Sequence, residues 1–380
     1  MKRPAAVASV RSPWTSGSGG KRGMRKALLI FVVTSCVCNS GCYVGPVRTA
    51  DMQNHPDVRH IDPKKGPVRI DETKEDDTIV LTVEIRNFTI CTPAEPVRMK
   101  YDEMRYRLAG VIAVTGVLPN GKECNVYLDT GAERAALVSD VVVREGKLAI
   151  YPVGKGSWSS AFGGICHLPW IQLGPIRVLN PPCQYAQLHW EARLLGMPLW
   201  RDKPMILGLG ALRRFPYVMF DNVRKEVEFA PKNGLFEPEN PDRWELHPFR
   251  FERDRTDNLR IQVDLPIAGE DLRGAFDTCS PSGLHLGPKE WRKLSARVAT
   301  GRPRNSTMYS AILGPLRCQR ATVGKLEVGS RTIRNAEVVI LPEDSRFGTE
   351  TTIGMGYFTD TVVVLDFERE LMWIKRRADS

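Results

Sequence analysis

One short acidic motif occurs twice in the chain. The first copy reads LDTGA (Leu128–Ala132) and the second reads FDTCS (Phe276–Ser280). Each copy follows an apolar run, as expected for a strand that ends at the aspartate. Self-similarity of this kind indicates two copies of one structural unit, and it restricts the chain to folds that contain such a duplication.

The segments downstream of the two motifs repeat as well. The motif aspartate is followed by a glycine with apolar neighbours after 79 residues in the first copy (208 − 129) and after 77 in the second (354 − 277). A further aspartate follows that glycine by 13 residues (221 − 208) and by 12 residues (366 − 354). Each final aspartate stands where a strand–turn–strand hairpin is expected. The landmarks are Asp129, Gly208 and Asp221 in the first copy, and Asp277, Gly354 and Asp366 in the second.

The apolar segments around these landmarks are short, β-branched and broken by glycine, proline and asparagine. This pattern favours a mainly β protein over a helical one. A chain of 380 residues, 42% of them hydrophobic, is long enough for two cores. We therefore predict four regions: a leader (1–42), a tether or linker (43–77), an N-terminal lobe (78–235) and a C-terminal lobe (236–380).

The leader has the layout of an export signal. The stretch from Met24 to Cys42 has a basic start, an apolar run, small polar residues and then Ser-Gly-Cys. It resembles a bacterial lipoprotein signal with Cys42 as the lipid-modified residue, although Asn39 stands where a leucine is usual. A plain signal peptide cleaved elsewhere, or a short membrane anchor, is the alternative, and Met1 and Met24 are both candidate starts. We expect an exported, membrane-anchored protein of the cell envelope.

The charge of the chain is concentrated in this leader. The formal net charge is +10, but residues 1–41 hold seven Lys and Arg and no acidic residue, so 47 basic residues (54 − 7) face 44 acidic ones in the remainder. Nucleic-acid binding is therefore not expected. The six histidines show no ligand spacing, and no CxxC pair occurs, so no metal site is expected. Six cysteines remain beyond Cys42, and the sequence leaves their disulfide pairing open.

The motifs and their downstream glycines resemble those of the pepsin-like and retropepsin-like aspartic proteases. The resemblance extends roughly from Arg105 to Arg376 and rests on two motifs, each with its own downstream partner segment. It implies a mainly β, bilobal acid-protease fold, in which two homologous β-barrel-like lobes enclose the active-site cleft. It also implies that Asp129 and Asp277 form a catalytic dyad.

Such a dyad requires two carboxylates because neighbouring carboxylates share one proton. The ionised carboxylate acts as general base on a water molecule, and the protonated one hydrogen-bonds the substrate carbonyl and helps to protonate the leaving amine. In the family, the motif threonines tie the two loops together, the motif glycine places its N–H on the aspartate, and the downstream glycines pack against the loops. The matching positions are Thr130, Gly131, Thr278, Gly208 and Gly354, with Cys279 in place of the second motif glycine and Ser280 after it.

The two motifs differ at two positions. Ala132 follows the first motif and has no hydrogen-bonding side chain, whereas the Ser280 hydroxyl is expected to stabilise ionised Asp277. A side chain at Cys279 strains the backbone if that position needs glycine-only dihedrals, and it is tolerated if φ is ordinary. A disulfide or redox role for Cys279, with Cys318 as partner, is the alternative.

The resemblance further implies a flap, a hairpin of the first lobe that folds over the substrate. The matching stretch runs from Val153 to Ile165 and has the glycine and serine content of a lid. Trp158 and Phe162 are the candidate aromatic contacts, and an ordinary hairpin aromatic is the alternative role for Trp158.

We therefore predict a monomeric aspartic endopeptidase that cleaves extended peptides by direct attack of water, without a metal or organic cofactor. Its partners would be a peptide or protein substrate and the membrane. Two alternatives stay open: a catalytically inactive homologue that binds peptide or protein, and a structural envelope lipoprotein. The chain has no GxSxG or HExxH motif, which disfavours serine and metal-dependent hydrolases.

Overall fold

A computed structural model gives the fold of the chain. It describes residues 42–48, 59–61, 68–75, 78–85, 87–103, 110–151, 164–186, 188–194, 197–202, 204–254, 258–310, 314–343, 345 and 351–376. The chain divides into two compact units. One comprises residues 1–44 and 191–200, and the other comprises residues 45–190 and 201–380. Both copies of the acidic motif belong to the second unit.

The described part of the chain is built mostly of strands. Three short helices occur, α1 (Asp140–Glu145), α2 (Leu209–Leu212) and α3 (Pro288–Ser295), with single 3-10 turns at Pro241–Arg243 and Met355–Phe358. The strands are β1 (Cys42–Arg48), β2 (Val68–Glu75), β3 (Thr78–Ile85), β4 (Thr89–Cys91), β5 (Val97–Lys100), β6 (Ala113–Val117), β7 (Glu123–Asp129), β8 (Ala136–Ser139), β9 (Ala149–Tyr151), β10 (Gly164–His167), β11 (Trp170–Leu173), β12 (Ile176–Leu179), β13 (Cys183–Ala186), β14 (Leu188–Leu194), β15 (Met197–Asp202), β16 (Pro204–Gly208), β17 (Tyr217–Asp221), β18 (Glu226–Phe229), β19 (Trp244–Arg253), β20 (Leu259–Ile267), β21 (Glu270–Asp277), β22 (Leu284–Leu286), β23 (Arg304–Ser310), β24 (Gly314–Val328), β25 (Arg331–Ile340), β26 (Thr352–Gly354), β27 (Val362–Asp366) and β28 (Leu371–Lys375).

Two large sheets contain most of these strands. The first has ten strands in the order β4-β12-β11-β6-β7-β16-β8-β13-β10-β9. The second has thirteen strands in the order β23-β24-β25-β22-β26-β21-β20-β19-β28-β27-β17-β18-β5. Two small sheets, β1-β14-β15 and β2-β3, complete the description. The predicted mainly β class is confirmed.

The duplication seen in the sequence is present in the strand pairing. β7 pairs in parallel with β16, and this register places Asp129 opposite Gly208. β21 pairs in parallel with β26, and there Asp277 lies opposite Gly354. In each lobe the strand that follows the motif then pairs antiparallel with the glycine-bearing strand, β8 with β16 and β22 with β26. The two-lobed repeat that the motif spacing predicts is therefore confirmed.

The final landmark of each copy starts a hairpin turn. The Asp221 carboxylate accepts the backbone N–H groups of Val223 and Arg224 at 3.0 and 2.8 Å. The Asp366 carboxylate accepts that of Arg369 at 3.1 Å. Both turns end four residues after the aspartate in a left-handed residue, Lys225 with φ 58° and Glu370 with φ 53°. Side-chain acceptors at the start of a turn specify this reversal, as the sequence indicates.

These two hairpins join the lobes. β17 of the first hairpin pairs antiparallel with β27 of the second, and Tyr217 lies opposite Asp366. Asn222 is fully buried at this junction. Its amide donates to the carbonyl of Phe358 at 3.0 Å, and its side-chain oxygen accepts the Tyr101 hydroxyl at 3.3 Å. One continuous sheet therefore contains strands of both lobes.

The apolar core also spans both lobes. One cluster contains buried side chains from both motif strands and from both hairpins, among them Leu128, Phe220, Phe276 and Val363. A smaller aromatic cluster surrounds Phe236, whose ring meets those of Trp244 and Trp373 edge-on at 5.1 and 5.5 Å. Edge-to-face packing at these distances is favourable for aromatic rings.

Several regional predictions are only partly covered by the described residues. The leader lies outside them except for Cys42, which is the first residue of β1. Most of β1 and the whole of β2 fall within the predicted tether, so two parts of that region form strands. The limits of the four regions stay predictions. Among the described residues, no helix is both long and apolar enough to span a bilayer.

Candidate active site

The two motif loops are joined by a reciprocal pair of threonines. The Thr130 N–H donates to the Thr278 hydroxyl at 3.0 Å, and the Thr278 N–H donates to the Thr130 hydroxyl at 3.1 Å. Each hydroxyl then donates to a carbonyl of the opposite lobe, Thr130 to Phe276 at 2.8 Å and Thr278 to Leu128 at 2.6 Å. Both threonines are fully buried. These four hydrogen bonds fix the ends of β7 and β21 relative to each other.

This junction brings the two motif aspartates together. The Gly131 N–H donates to the Asp129 carboxylate at 2.8 Å, and the Cys279 N–H donates to the Asp277 carboxylate at 2.8 Å. A Cβ placed on Gly131 would lie 2.7 Å from the Asp277 carboxyl carbon. The first loop therefore passes close against the second carboxylate, and the absence of a side chain at Gly131 makes that approach possible.

Cys279 keeps the backbone geometry of Gly131. Neither residue has a positive φ, and the N–H of each makes the same 2.8 Å bond to its aspartate. The cysteine therefore introduces no glycine-only conformation. Its Sγ donates to the Leu128 carbonyl at 3.4 Å. Cys279 and Cys318 are both free thiols, and the Cys318 side chain packs with Val339 and Leu341.

Burial raises the pKa of the Asp129 carboxyl well above its ordinary value, and the neighbouring Asp277 charge raises it further. The Gly131 N–H and the positive charge of Arg260 oppose this rise. Burial and the two carboxylates also raise the pKa of the Cys279 thiol well above its usual range. The thiol is therefore held in its neutral form beside the aspartates.

The pKa of Asp277 is also raised by burial, but more groups favour its ionised form. The N–H of Cys279 opposes the rise most strongly, followed by the charge of Arg260, a hydrogen bond with Asp129, and the N–H of Ser280. Asp129 thus holds the proton more tightly of the two, and Asp277 is the better site for the negative charge.

The Ser280 side chain does not act as the sequence suggests. Its hydroxyl donates to the Ser282 carbonyl at 3.1 Å and lies 3.3 Å from the His285 Nε2. The residue favours ionised Asp277 through its backbone N–H instead. Burial lowers the pKa of His285 to about 4, so the imidazole is neutral at ordinary pH. The bias of charge toward Asp277 stays a prediction, and the groups that favour ionised Asp277 are the Cys279 and Ser280 N–H groups, the charge of Arg260 and a hydrogen bond with Asp129 rather than the Ser280 hydroxyl.

The downstream glycines lie against the motif loops. A Cβ on Gly208 would lie 2.1 Å from the Arg134 carbonyl oxygen, and one on Gly354 would lie 1.9 Å from that of Ser282. The Gly208 N–H donates to the Ala135 carbonyl at 3.1 Å, and the Gly354 N–H donates to that of Gly283 at 2.8 Å. Both positions therefore support the loops through backbone contact alone, without room for a side chain.

Two functional candidates could not be read from the sequence. Arg260 lies on β20, and its guanidinium donates to Asp254 at 2.9 Å while its charge acts on both motif aspartates. His285 supports the second loop through Ser280. Neither residue belongs to the motif: Arg260 reaches the site through the pairing of β20 with β21, and His285 follows the motif by five residues without a pattern that marks it. Among the described residues, no group of His, Cys, Asp and Glu side chains could hold a metal ion.

The flap residues Trp158 and Phe162 lie outside the described part of the chain. The strands on either side of that segment, β9 and β10, pair antiparallel with Tyr151 opposite Ile165. These consecutive antiparallel strands are the arms of a hairpin, and the role of the segment between them as a flap stays a prediction.

Comparison with known proteins gives structural likenesses only. No family model matches the chain, and neither does any curated protein. Among solved structures, it is similar to the basic 7S globulin from soybean at 11% identity, covering 75% of this chain and 96% of that one with a TM-score of 0.41. It is also similar to conglutin gamma from lupine seeds (12%, 75% and 96%, TM-score 0.42) and to an aspartic proteinase from Irpex lacteus (10%, 74% and 98%, TM-score 0.42). Likenesses this weak do not decide the function.

Proposed function

We propose that the chain is an aspartic-type endopeptidase whose catalytic dyad is Asp129 and Asp277. The observation that carries the proposal is the reciprocal Thr130–Thr278 junction, which supports a pair of aspartates that influence each other's protonation. Two buried, neighbouring carboxyls cost stability unless they share a proton, so their presence favours a functional role over a structural one. A shared-proton carboxyl pair is the arrangement that activates water for attack on a peptide carbonyl.

The pKa directions assign different tasks to the two groups. Ionised Asp277 takes a proton from a water molecule while the water oxygen forms a bond to the carbonyl carbon. Protonated Asp129 gives its proton to the carbonyl oxygen, which produces a neutral tetrahedral intermediate. The intermediate collapses when the hydroxyl proton returns to Asp129 and the proton on Asp277 passes to the leaving nitrogen, which breaks the C–N bond. The dyad is then restored for the next cycle.

The sequence supports further proposals about the location, the oligomeric state and the substrates of the enzyme. We propose that the enzyme is exported and held at the membrane through a lipid on Cys42, that it acts as a monomer, and that its substrates are extended peptide segments. Trp158 and Phe162 would contact the substrate from the flap. Gel filtration of the detergent-solubilised chain tests the monomeric state. Mass spectrometry of its mature N-terminal peptide tests the lipid on Cys42.

Hydrolysis of a mixed peptide library by the purified full-length chain tests the activity. We expect cleavage at acidic to neutral pH, inhibition by a statine-type transition-state mimic, and loss of about 100- to 10,000-fold in kcat/KM in Asp129→Asn. Asp264→Asn is the matched control, because Asp264 is an exposed aspartate on β20. No cleavage by wild-type protein that is folded and binds the mimic would overturn the enzymatic assignment.

A peptide-binding protein that does not cleave is the second candidate. The Cys279 thiol favours it, because this side chain stands beside both carboxyls, whereas the other loop has the side-chain-free Gly131 at the equivalent position. Such a protein would bind the statine-type mimic without hydrolysing any peptide. A chain that neither binds nor cleaves would instead fit a structural envelope lipoprotein.

A further inference from the structure

Two cysteines face each other across neighbouring strands of the first sheet. β10 and β13 pair antiparallel, and their register places Cys166 directly opposite Cys183. The two sulfur atoms are 3.3 Å apart. Opposed positions on antiparallel strands bring the Cβ atoms within the range that a disulfide requires, so bond formation needs only a small movement of the side chains.

The surroundings of this pair suit a structural disulfide. Both side chains are buried, with 1% and 2% of their surface exposed for Cys166 and Cys183 respectively. A buried disulfide is shielded from external thiols once it has formed. Of the other described cysteines, Cys91 is exposed on β4, and Cys279 donates its thiol to the Leu128 carbonyl. The Cys166–Cys183 pair is therefore singled out by its register and by its sulfur separation.

The positions of the two strands determine what a bond between Cys166 and Cys183 would hold together. β10 is one arm of the β9–β10 hairpin, and Cys166 lies opposite Ile150 of the other arm. β13 pairs in parallel with β8, the strand that leaves the first motif loop. A covalent link between β10 and β13 would therefore fasten the base of the hairpin to the part of the sheet that carries the Asp129 loop.

We propose that Cys166 and Cys183 form a disulfide that fastens the β9–β10 hairpin to β13. The bond forms by exchange with a disulfide of a protein oxidant. One thiolate attacks an oxidant sulfur, and the second thiolate then resolves the mixed disulfide. The chain loses two thiol protons and two electrons, and the oxidant disulfide is reduced to two thiols. This modification is independent of the proposed peptidase activity.

Burial has a kinetic consequence for this reaction. It raises the pKa of the Cys183 thiol well above its ordinary value, and the adjacent Cys166 raises it further. Exchange needs a thiolate, so the folded, reduced protein reacts slowly and the bond forms while the chain is still folding. Oxidant supplied during refolding should therefore be much more effective than the same oxidant added afterwards.

Peptide mapping of the full-length chain tests the proposal. The protein is refolded with a glutathione redox pair, its free thiols are alkylated under denaturing conditions, and it is digested without reductant. We expect a cross-linked peptide pair containing Cys166 and Cys183, lighter by two hydrogens than the two reduced peptides together, and alkylation of Cys91. Alkylation of both Cys166 and Cys183, or a link from either to another cysteine, would overturn the proposal.

Thermal unfolding with and without reductant provides a second measurement. Wild-type protein and the control variant Cys91→Ser should lose roughly 5–10 °C in Tm on full reduction, because the bond closes a short loop of 16 residues (183 − 166 − 1). Cys166→Ser and Cys183→Ser should show no such reductant effect. If a serine variant fails to fold, peptide mapping of wild-type protein still decides the question. A reductant effect of equal size in either serine variant would contradict the assignment.

Discussion

Gly131 and Cys279 occupy equivalent positions in the two loops, yet only one of them has space for a side chain. A Cβ on Gly131 would lie 2.7 Å from the Asp277 carboxyl carbon, which is far inside van der Waals contact. Cys279 already carries a side chain, and its Sγ lies against the Leu128 carbonyl without altering the N–H bond to Asp277. The two loops are related by the duplication, but they are not interchangeable.

Gly131→Ala should therefore lower kcat/KM more than the replacement of Cys279 by a smaller residue does. The added methyl group pushes Asp277 away from Asp129, and a displacement of about 1 Å in a catalytic group costs on the order of 100-fold in rate. Cys279→Ala and Cys279→Gly are the controls, and both should stay within about threefold of wild-type kcat/KM. A fully active Gly131→Ala variant would contradict the described approach of the two loops.

Asp129→Asn should make the protein more stable at neutral pH while it removes activity. The pKa of Asp129 is raised in the fold, so between the ordinary carboxyl pKa of about 3.9 and the raised value the folded state binds a proton that the unfolded chain has lost. Folding stability therefore falls as the pH rises through this window. Asparagine removes that cost, and we expect a gain of ~1 kcal/mol at pH 7, or about 2–4 °C in Tm, that disappears near pH 3.

Calorimetry at several pH values measures this difference, with Asp264→Asn as the control. Asp264 is exposed on β20, so its replacement should leave Tm nearly unchanged at every pH. A pH-independent gain in Asp129→Asn, or a loss at pH 7, would be inconsistent with the raised pKa.

Arg260→Gln should shift the pH dependence of activity. The positive charge of Arg260 lowers the pKa of both dyad carboxyls, so its removal raises them. The acid limb of the kcat/KM profile, where Asp277 must lose its proton, then moves to higher pH. Arg260→Lys retains the charge and should keep the wild-type profile. An acid limb that stays in place in Arg260→Gln would exclude this electrostatic role.

At the scale of secondary-structure elements, the threonine junction decides how the two motif strands meet. Thr130 and Thr278 occupy the same position of the repeated tripeptide, so the sequence repeat and the family resemblance already predict that they meet. Their side chains exchange hydrogen bonds with the backbone of the opposite loop, so the ends of β7 and β21 cannot slide independently. A buried backbone donor left without its partner costs about 1–3 kcal/mol.

Thr130→Val should lower the free energy of unfolding by about 1–3 kcal/mol, because the Thr278 N–H and the Phe276 carbonyl lose their partner while the side-chain shape is nearly unchanged. Urea denaturation followed by circular dichroism measures the change. Thr130→Ser retains the hydroxyl and should lose much less stability than Thr130→Val. Equal losses in the two variants would show that packing of the methyl group, rather than the hydrogen bonds, holds the junction.

The sequence predicts the elements that are marked by local residue patterns. The repeated intervals predict two related lobes, and the turn aspartates predict both hairpins, whereas the parallel pairing of β7 with β16 and of β21 with β26 is seen only in the structure. Contacts set by distant strands were not accessible in this way. Arg260 is the example, since it reaches the site through β20. The predicted partner of the Ser280 hydroxyl is wrong for another reason, because the local path of the chain brings the Ser282 carbonyl within its reach.

At the scale of the whole molecule, strands of both lobes pair in one sheet and side chains of both lobes pack in one core. Three strands that precede the C-terminal lobe, β5, β17 and β18, belong to the thirteen-stranded sheet, and β17 pairs directly with β27. The core cluster likewise includes side chains from both lobes. Asp129 ends a strand of the ten-stranded sheet and Asp277 ends a strand of the thirteen-stranded sheet, but both strands contribute to one core. The two halves of the dyad should therefore behave as a single functional unit.

A double-mutant cycle on the two aspartates tests most directly whether Asp129 and Asp277 act together in catalysis. The values compared are kcat/KM for wild type, Asp129→Asn, Asp277→Asn and the double variant, all in the full-length chain with folding checked by circular dichroism. Groups that act as one unit show non-additive losses. We predict that each single variant loses about 100- to 10,000-fold and that the double variant loses hardly more. Substantial activity in either single variant, or losses that multiply in the double variant, would contradict a shared two-aspartate centre.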